Sequence, residues 1–444
     1  MSSSSPSSFK PVDWSYSTNI YEVNLRQYTK EGTFEAFGRE LPRLRDMGIE
    51  ILWFMPITPI SVEKRKGTLG SYYACSDYTA TNPEFGSTAD FKDLVQAAHG
   101  LGFQVIIDWV ANHTGWDHRW TREHPEYYRK NHEGQFYEMH GWEDVIDLNY
   151  DSKDLQTAMI EAMQWWVQHF DIDGFRCDMA MLVPLDFWRQ ARTALDKGKP
   201  LFWLAECEEI AYHEVFDATY TWKFLHRMEE VWRKESGIDG LDEVLGYYDK
   251  QFPPTAFRAY FTTNHDENSH SGSEYERMGD AALPFAVLCC TWNGLPLIYS
   301  GQELPNLKRL QFFDKDPIEW TGVCKLHDFY KTLLGLRKAN PALRAGDVSV
   351  QTHRLGARAM GDAGAETAAP GIFAFLRKHP SAEVLVVLNL SAEAQTIRFD
   401  EPGSPRGSFT EVFGKETVDL TTDQTVSMPA WGYKVLFRLC SSTE

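Results

Sequence analysis

Between Asn19 and Arg344 the chain passes through eight short apolar runs, each separated from the next by an amphipathic stretch of ten or more residues or a polar connection. The runs fall at 20–26, 49–56, 103–110, 174–178, 202–206, 218–221, 259–264 and 296–299. Helical periodicity lies between and after them, at 33–47, 88–101, 155–170, 184–195, 222–235, 281–292 and 325–338. Such alternation builds βα units around a parallel sheet, and eight parallel strands are the number that closes a TIM barrel. Ser87 with Thr88, and Asp151 with Ser152, are candidate caps for the free N–H groups of two helices, and Pro184 suits a first helical position. The spacing therefore predicts an α/β fold, a (β/α)8 barrel, with two additions. About 40 residues rich in His, Trp and Tyr follow the third run, too many for an ordinary βα loop, and read as a short inserted subdomain at 113–147. Beyond 346 the pattern changes to alternating segments such as IFAFLRK, VLVVLNL and GYKVLFRL, divided by Gly, Pro and Ser turns. That pattern predicts a C-terminal antiparallel β-sandwich over 346–444, leaving 1–112 and 148–345 to the barrel. The Ser-rich start is expected to be disordered.

With 444 residues, size sets no obstacle to a large core. A net charge of −19 repels nucleic acid and anionic membranes, so neither is expected as a partner. No window of 18 apolar residues occurs. The aromatic content, 14% with 15 Trp, suits the faces of sugar rings, although such rings equally fill cores. Seven cysteines, with no CxxC pair or zinc spacing, read as free thiols of a reducing, cytoplasmic compartment. A secreted or periplasmic chain whose leader is absent is the alternative. No long heptad segment argues for an oligomer.

In such a barrel the chemistry sits where polar residues end the strands. The third run ends in IIDWVANHT, bringing Asp108, Asn112 and His113. The fourth ends in GFRCDM, with Arg176 and Asp178 two apart and so on one strand face. The fifth brings Glu206, and the seventh brings Asn264, His265 and Asp266. Three carboxylates, Asp178, Glu206 and Asp266, thus meet at one barrel mouth beside an arginine and two histidines. Glycoside hydrolysis with retention needs such a set: one carboxylate as nucleophile and a second, with a raised pKa, as acid. A metal hydrolase could use the same residue types, but no local HExxH pair supports it.

Six segments in order resemble the α-amylase family of retaining glycoside hydrolases: DWVANHT at 108–114, VIDLN at 145–149, GFRCDM at 174–179, AE at 205–206, NHDE at 264–267 and GLPLIYSGQE at 294–303. The resemblance implies Asp178 as nucleophile, Glu206 as acid/base and Asp266 as transition-state stabiliser. It implies that His113, Arg176 and His265 hold the reacting glucose. In YYACSDY (72–78) it implies a tyrosine stacked under that glucose, with spacing pointing to Tyr73 and Tyr72 as rival. The implied activity is hydrolysis of α-1,4 bonds in starch and maltooligosaccharides, with no cofactor required for chemistry. Alternatives are a cyclomaltodextrinase or α-glucosidase, an α-glucosyl transferase, or a catalytically inactive sugar-binding protein. Asn112 and Asp147 match positions that bind structural calcium in many members. Met181 and Leu182 depart from the Lys-His pair common on the leaving-group side, and Cys207 from a frequent aromatic. Trp431 is a candidate starch contact of the C-terminal domain, with packing against the barrel as the alternative.

Overall fold

The computed structural model describes residues 10–361, 366–399, 405–421 and 425–440. The Ser-rich start lies outside them. Eight parallel strands close a barrel in sequence order: β1 (Ile20–Val23), β2 (Ile51–Phe54), β3 (Gln104–Trp109), β4 (Gly174–Cys177), β5 (Phe202–Ala205), β6 (Ala218–Tyr220), β7 (Phe257–Tyr260) and β8 (Leu295–Tyr299). The strands are buried on both faces, which is why they read as continuous apolar runs. Gly174 is required by the closure. A Cβ there would lie 1.9 Å from the Phe202 carbonyl oxygen, so a side chain would force β4 and β5 apart.

Several boundaries differ from the sequence expectation, each for a local reason. β1 stops at Val23, and Leu25–Tyr28 turns into a helix whose Arg26 is buried against Glu84 at 2.8 Å. The expected helix at 33–47 is two, Phe34–Gly38 and Leu41–Met47, because Pro42 has no N–H with which to continue the ladder. β7 starts two residues earlier than expected and ends four earlier, at Tyr260; Thr262 beyond it turns its hydroxyl to Glu274. An additional helix, Asp239–Gln251, precedes β7. The helix Thr88–Gly100 starts on a reciprocal cap between Ser87 and Asp90, and Lys153–Phe170 starts on the Ser152 hydroxyl. Pro184 stands one residue ahead of its expected place, at the N-cap of Leu185–Leu195.

The segment inserted after β3 is pinned by a short antiparallel pair, His113–Gly115 against Val145–Asp147. The C-terminal region forms a six-stranded and a four-stranded antiparallel sheet. Its central hairpin, Ile372–His379 with Ala382–Asn389, is apolar on both faces. Leu376, Leu385 and Val387 join Ile397, Phe409 and Met428 between the two sheets. The alternate residues Phe373, Phe375, Val384 and Val386 pack into the barrel's core. Trp292 meets Phe375 with ring centroids 4.7 Å apart, and Trp431 meets Trp232 at 4.9 Å. Trp431 is thus half-buried against the barrel. All seven cysteines are free thiols. Among the described residues, no helix is long and apolar enough to cross a membrane.

Candidate active site

The strand ends converge on a pocket of about 380 Å3 whose wall includes Tyr73, His113, Asp178, Met179, Glu206 and Asp266. Its volume lies at the lower end of the range typical of small-molecule sites. The geometry follows from register. Asp108 on β3 pairs directly with Arg176 on β4, and the backbone ladder runs on past the strand ends: Asp178 N donates to the Trp109 carbonyl and Glu206 N to the Cys177 carbonyl, both at 3.0 Å. Asp178 and Glu206 are thereby held one residue beyond the barrel on adjacent strands.

Arg176 is fully buried and organises the carboxylates. Its Nη1 donates to Asp108 Oδ1 at 2.9 Å and to Asp178 Oδ1 at 3.0 Å. Its Nη2 lies 2.8 Å from Glu206 Oε2 as an ion pair without hydrogen-bond alignment. Glu206 Oε2 instead accepts the backbone N–H of Met179 at 2.9 Å. Burial raises Glu206 to about 7 and Asp178 to about 6, with Arg176 holding both lower than burial alone would and neighbouring carboxylates adding to the rise. Asp108 is raised to about 6 by burial in the same way.

Asp266 sits at the rim, its side chain 39% exposed, with His265 Nε2 3.4 Å away. Burial would lower His265, but Asp266 and Glu22 outweigh it and raise the imidazole to about 9. His113 has no such neighbour. Burial, with His140 nearby, pushes it down to about 3, so it is neutral. Its ring meets that of Trp142 edge-on, with centroids 5.4 Å apart.

Of the two candidate tyrosines, Tyr73 reaches the pocket. Its hydroxyl is 3.1 Å from Asp108 Oδ2 and 2.6 Å from His265 Nε2, and its ring lies nearly parallel to that of Phe312. Tyr72 turns away, with its hydroxyl on Asn24 at 3.0 Å and its ring under Arg26. All seven expected site residues therefore belong to one connected constellation, and Asp108, Trp142, Phe312 and Glu22 join them. Glu22 is visible in the sequence as the lone charge in the run IYEV. Trp142 and Phe312 come from loops, and only their aromatic character marks them.

Asn112 and Asp147 are neighbours across the inserted hairpin, where Leu148 N donates to the Asn112 carbonyl at 3.0 Å. Asp147 Oδ1 is buried without a partner, but Oδ2 accepts from Met139 N and the Asn112 amide faces His113 Nδ1. Calcium takes six to eight oxygens, and no cluster of three acidic, His or Cys side chains surrounds this point among the described residues. Acidic side chains alone therefore do not make a calcium site here, and an ion would have to draw on amide and backbone oxygens as well.

Met181, on the departing segment, is 40% exposed. With Cys207, Glu208, Trp222, Lys223 and Tyr247 it lines a second groove of about 390 Å3.

Comparison with known proteins agrees with this architecture. A model of the alpha amylase catalytic domain matches residues 6–141 and 126–325, and one of the maltogenic amylase C-terminal domain matches 365–435. The chain is 26% identical to alpha-amylase MalA of Haloarcula japonica, over 95% of this chain and 63% of that protein, and so spans under two thirds of that relative's length. It is 22% identical to a cyclomaltodextrinase of Thermoanaerobacter pseudethanolicus, over 83% of this chain and 65% of that one. Among solved structures, the noncanonic maltogenic alpha-amylase AmyB of Thermotoga neapolitana superposes with a TM-score of 0.86 at 28% identity, covering 96% of this chain and 99% of that one. An alpha-amylase of Lactobacillus plantarum gives 0.82 at 29% identity, covering 95% and 99%. With the catalytic-domain model matched across most of the barrel, the chain belongs to the alpha-amylase family.

Proposed function

We propose that the protein hydrolyses α-1,4-glucosidic bonds of starch and maltooligosaccharides with retention of configuration. The observation that carries this reading is the sharing of one buried guanidinium, Arg176, by Asp178 and Glu206, with Asp266 at the rim of the same pocket. Asp178, the more acidic of the pair, attacks the anomeric carbon as Glu206 gives its proton to the departing glycosidic oxygen. The bond to the leaving sugar breaks, and a covalent glucosyl ester on Asp178 forms. Glu206, now ionised, takes a proton from water as that water attacks the same carbon, releasing Asp178. Asp266 is placed to bind hydroxyls of the reacting glucose and to offset positive charge as it develops. Neutral His113, charged His265 and Arg176 orient the ring, and Tyr73 offers its aromatic face.

One observation favours short maltooligosaccharides over long starch chains. Lys66 Nζ and Asp144, both on the pocket wall, pair at 3.1 Å and tie the loop after β2 to the inserted segment. The likeness to a maltogenic relative points the same way. The test is a product time course on soluble starch, a cyclic maltodextrin, maltotriose and p-nitrophenyl α-glucoside, with the anomeric form of fresh product read by NMR. Release of α-anomers, fastest from the short substrates, is expected. Absence of turnover on all four would overturn the reading. Asp178→Asn separates an enzyme from a sugar-binding protein, since it removes turnover and leaves binding.

A further inference from the structure

Glu22 lies on β1, fully buried, and is not part of the pocket wall. It faces the barrel interior beside Trp53 on β2 and Tyr299 on β8, its partners in register. A carboxylate in such a place is costly unless it is paired. Its Oε2 has no partner, and its Oε1 lies 2.5 Å from His265 Nδ1. The other ring nitrogen, Nε2, lies 2.6 Å from the Tyr73 hydroxyl.

The direction of each hydrogen bond can be worked out from the acceptors. Asp108 Oδ1 accepts from Arg176, and Oδ2 accepts from the Trp53 indole at 3.2 Å. The Tyr73 hydroxyl, 3.1 Å from the same Oδ2, has one hydrogen and gives it to this carboxylate. The Tyr73 oxygen is left to accept from Nε2–H of His265. The Glu22 carboxylate oxygen accepts, so Nδ1 also carries a hydrogen. Both nitrogens are therefore protonated.

We propose that Glu22 is a positioning residue whose carboxylate holds His265 as an imidazolium, aimed into the pocket through Tyr73 and Asp266. The groups facing His265 are Glu22 from β1, Tyr73 from the loop after β2, Asp108 behind Tyr73, Arg176 from β4 and Asp266 beside it. Three of these are carboxylates, against one cation. The upward shift of His265 agrees with that balance. The arrangement gives the site a second fully buried cation besides Arg176, one whose charge is set from a strand that does not line the pocket. The catalytic consequence rests on the glycosidase reading above, but the charge state does not.

The experiment uses the full-length protein with 15N-labelled histidine, the His265 ring signals being assigned by their loss in His265→Gln. In the wild type, both ring nitrogens of His265 are expected to stay protonated at pH 7.5. In Glu22→Gln, Nδ1 or Nε2 is expected to lose its proton between roughly pH 5 and 7, near the ordinary histidine value. Glu22→Asp, which keeps the charge, restores the protonated pattern. In kinetics, Glu22→Gln is expected to lose roughly ten- to hundredfold in kcat/KM. The ratio of wild-type to variant activity should grow as pH rises from 6 to 8. A wild-type His265 with one bare ring nitrogen at pH 7.5 would overturn the proposal, as would a Glu22→Gln loss that is constant with pH while the ring signals stay unchanged. The wild-type spectrum alone decides the charge state should Glu22→Gln fail to fold. Absence of turnover on every glucan would leave that spectrum interpretable and would fault only the glycosidase reading.

Discussion

Met179 donates its backbone N–H to Glu206 Oε2 at 2.9 Å while its own backbone sits in the left-handed region, at φ 39° and ψ 48°. The residue after Asp178 thus bends the chain sharply enough to aim an amide at the neighbouring carboxyl. A side chain in this region costs on the order of 1–2 kcal/mol, and a β-branched one more. Met179→Gly removes that strain and keeps the N–H, so its stability is expected within about 1 kcal/mol of wild type, with most activity retained. Met179→Val is expected to lose a further ~1–2 kcal/mol and more than about tenfold in kcat as the amide is displaced. Thermal melts and kcat of the two variants check this; equal behaviour would show that the backbone bend is immaterial.

The two carboxyls around Arg176 set the pH profile. With Asp178 raised to about 6 and Glu206 to about 7, the window between these values holds Asp178 ionised and Glu206 protonated. Below it Asp178 takes up a proton, and above it Glu206 loses one. kcat/KM is therefore expected to be bell-shaped, with limbs near 6 and 7 that belong to the coupled carboxylate set. A profile flat from pH 5 to 9 would contradict the assignment of an acid and a nucleophile to this pair.

The same shift has a stability consequence. Glu206 binds its proton more tightly in the folded state than at its ordinary value of 4.5. Its contribution is fully present below that value and is lost as pH rises through about 7. A glutamine at this site is neutral at every pH and can still accept from Met179 N. Glu206→Gln is expected to be more stable than wild type by about 1–3 kcal/mol at pH 8, with no gain at pH 4.5, while turnover is lost. Chemical denaturation at the two pH values measures the difference. A variant less stable than wild type at pH 8 would mean that the ion pair with Arg176 outweighs burial.

Calcium removal provides a separate check on the inserted segment. Asp147 and Asn112 bring one unpartnered carboxylate oxygen and an amide turned toward His113. A bound ion would raise the melting temperature by mass action. Excess chelator is therefore expected to leave the melting temperature of the purified protein unchanged. A clear drop would show that amide or backbone oxygens complete a calcium site around Asp147.

The barrel and the residues at its mouth were legible because both arise from local pattern. Apolar runs that end abruptly in Asp, Glu, His or Asn mark a buried strand emerging into a site, and Arg176 with Asp178 follows from strand alternation alone. Glu22 is harder to interpret, because a single Glu in β1 signals a buried charge without naming its partner, and His265 is 243 residues away. Phe312 and Trp142 were hidden for another reason, since long loops place them and no periodicity governs a loop. The helix Asp239–Gln251 is diluted by Gly240 and Gly246, which weaken its pattern. The split at Pro42 was readable in principle, since proline cannot donate within a helix.

On the segment after the nucleophile strand, Met181 and Leu182 stand in place of the Lys-His pair that the family resemblance would supply, and there the structure offers a surface to test. Met181 is 40% exposed, Ile210 37% and Tyr247 39%, and all three line the second groove, whose wall also holds Cys207, the residue after Glu206. Lys223 Nζ lies 5.3 Å from the Tyr247 ring centroid, so the ring is held at the edge of the groove. On the proposed function, the sugars beyond the cleaved bond pack on the Tyr247 ring, with Met181 and Ile210 beside it, in a groove of mixed polarity that Glu208, Glu209 and Lys223 also line. Truncating Tyr247 to alanine is expected to raise KM for maltopentaose roughly two- to tenfold, the size of one aromatic contact, with kcat little changed. Hydrolysis of p-nitrophenyl α-glucoside, which carries a single glucose, should stay at the wild-type level. A penalty equal on both substrates would place the effect in folding or in the catalytic pocket and would remove the groove from the substrate path.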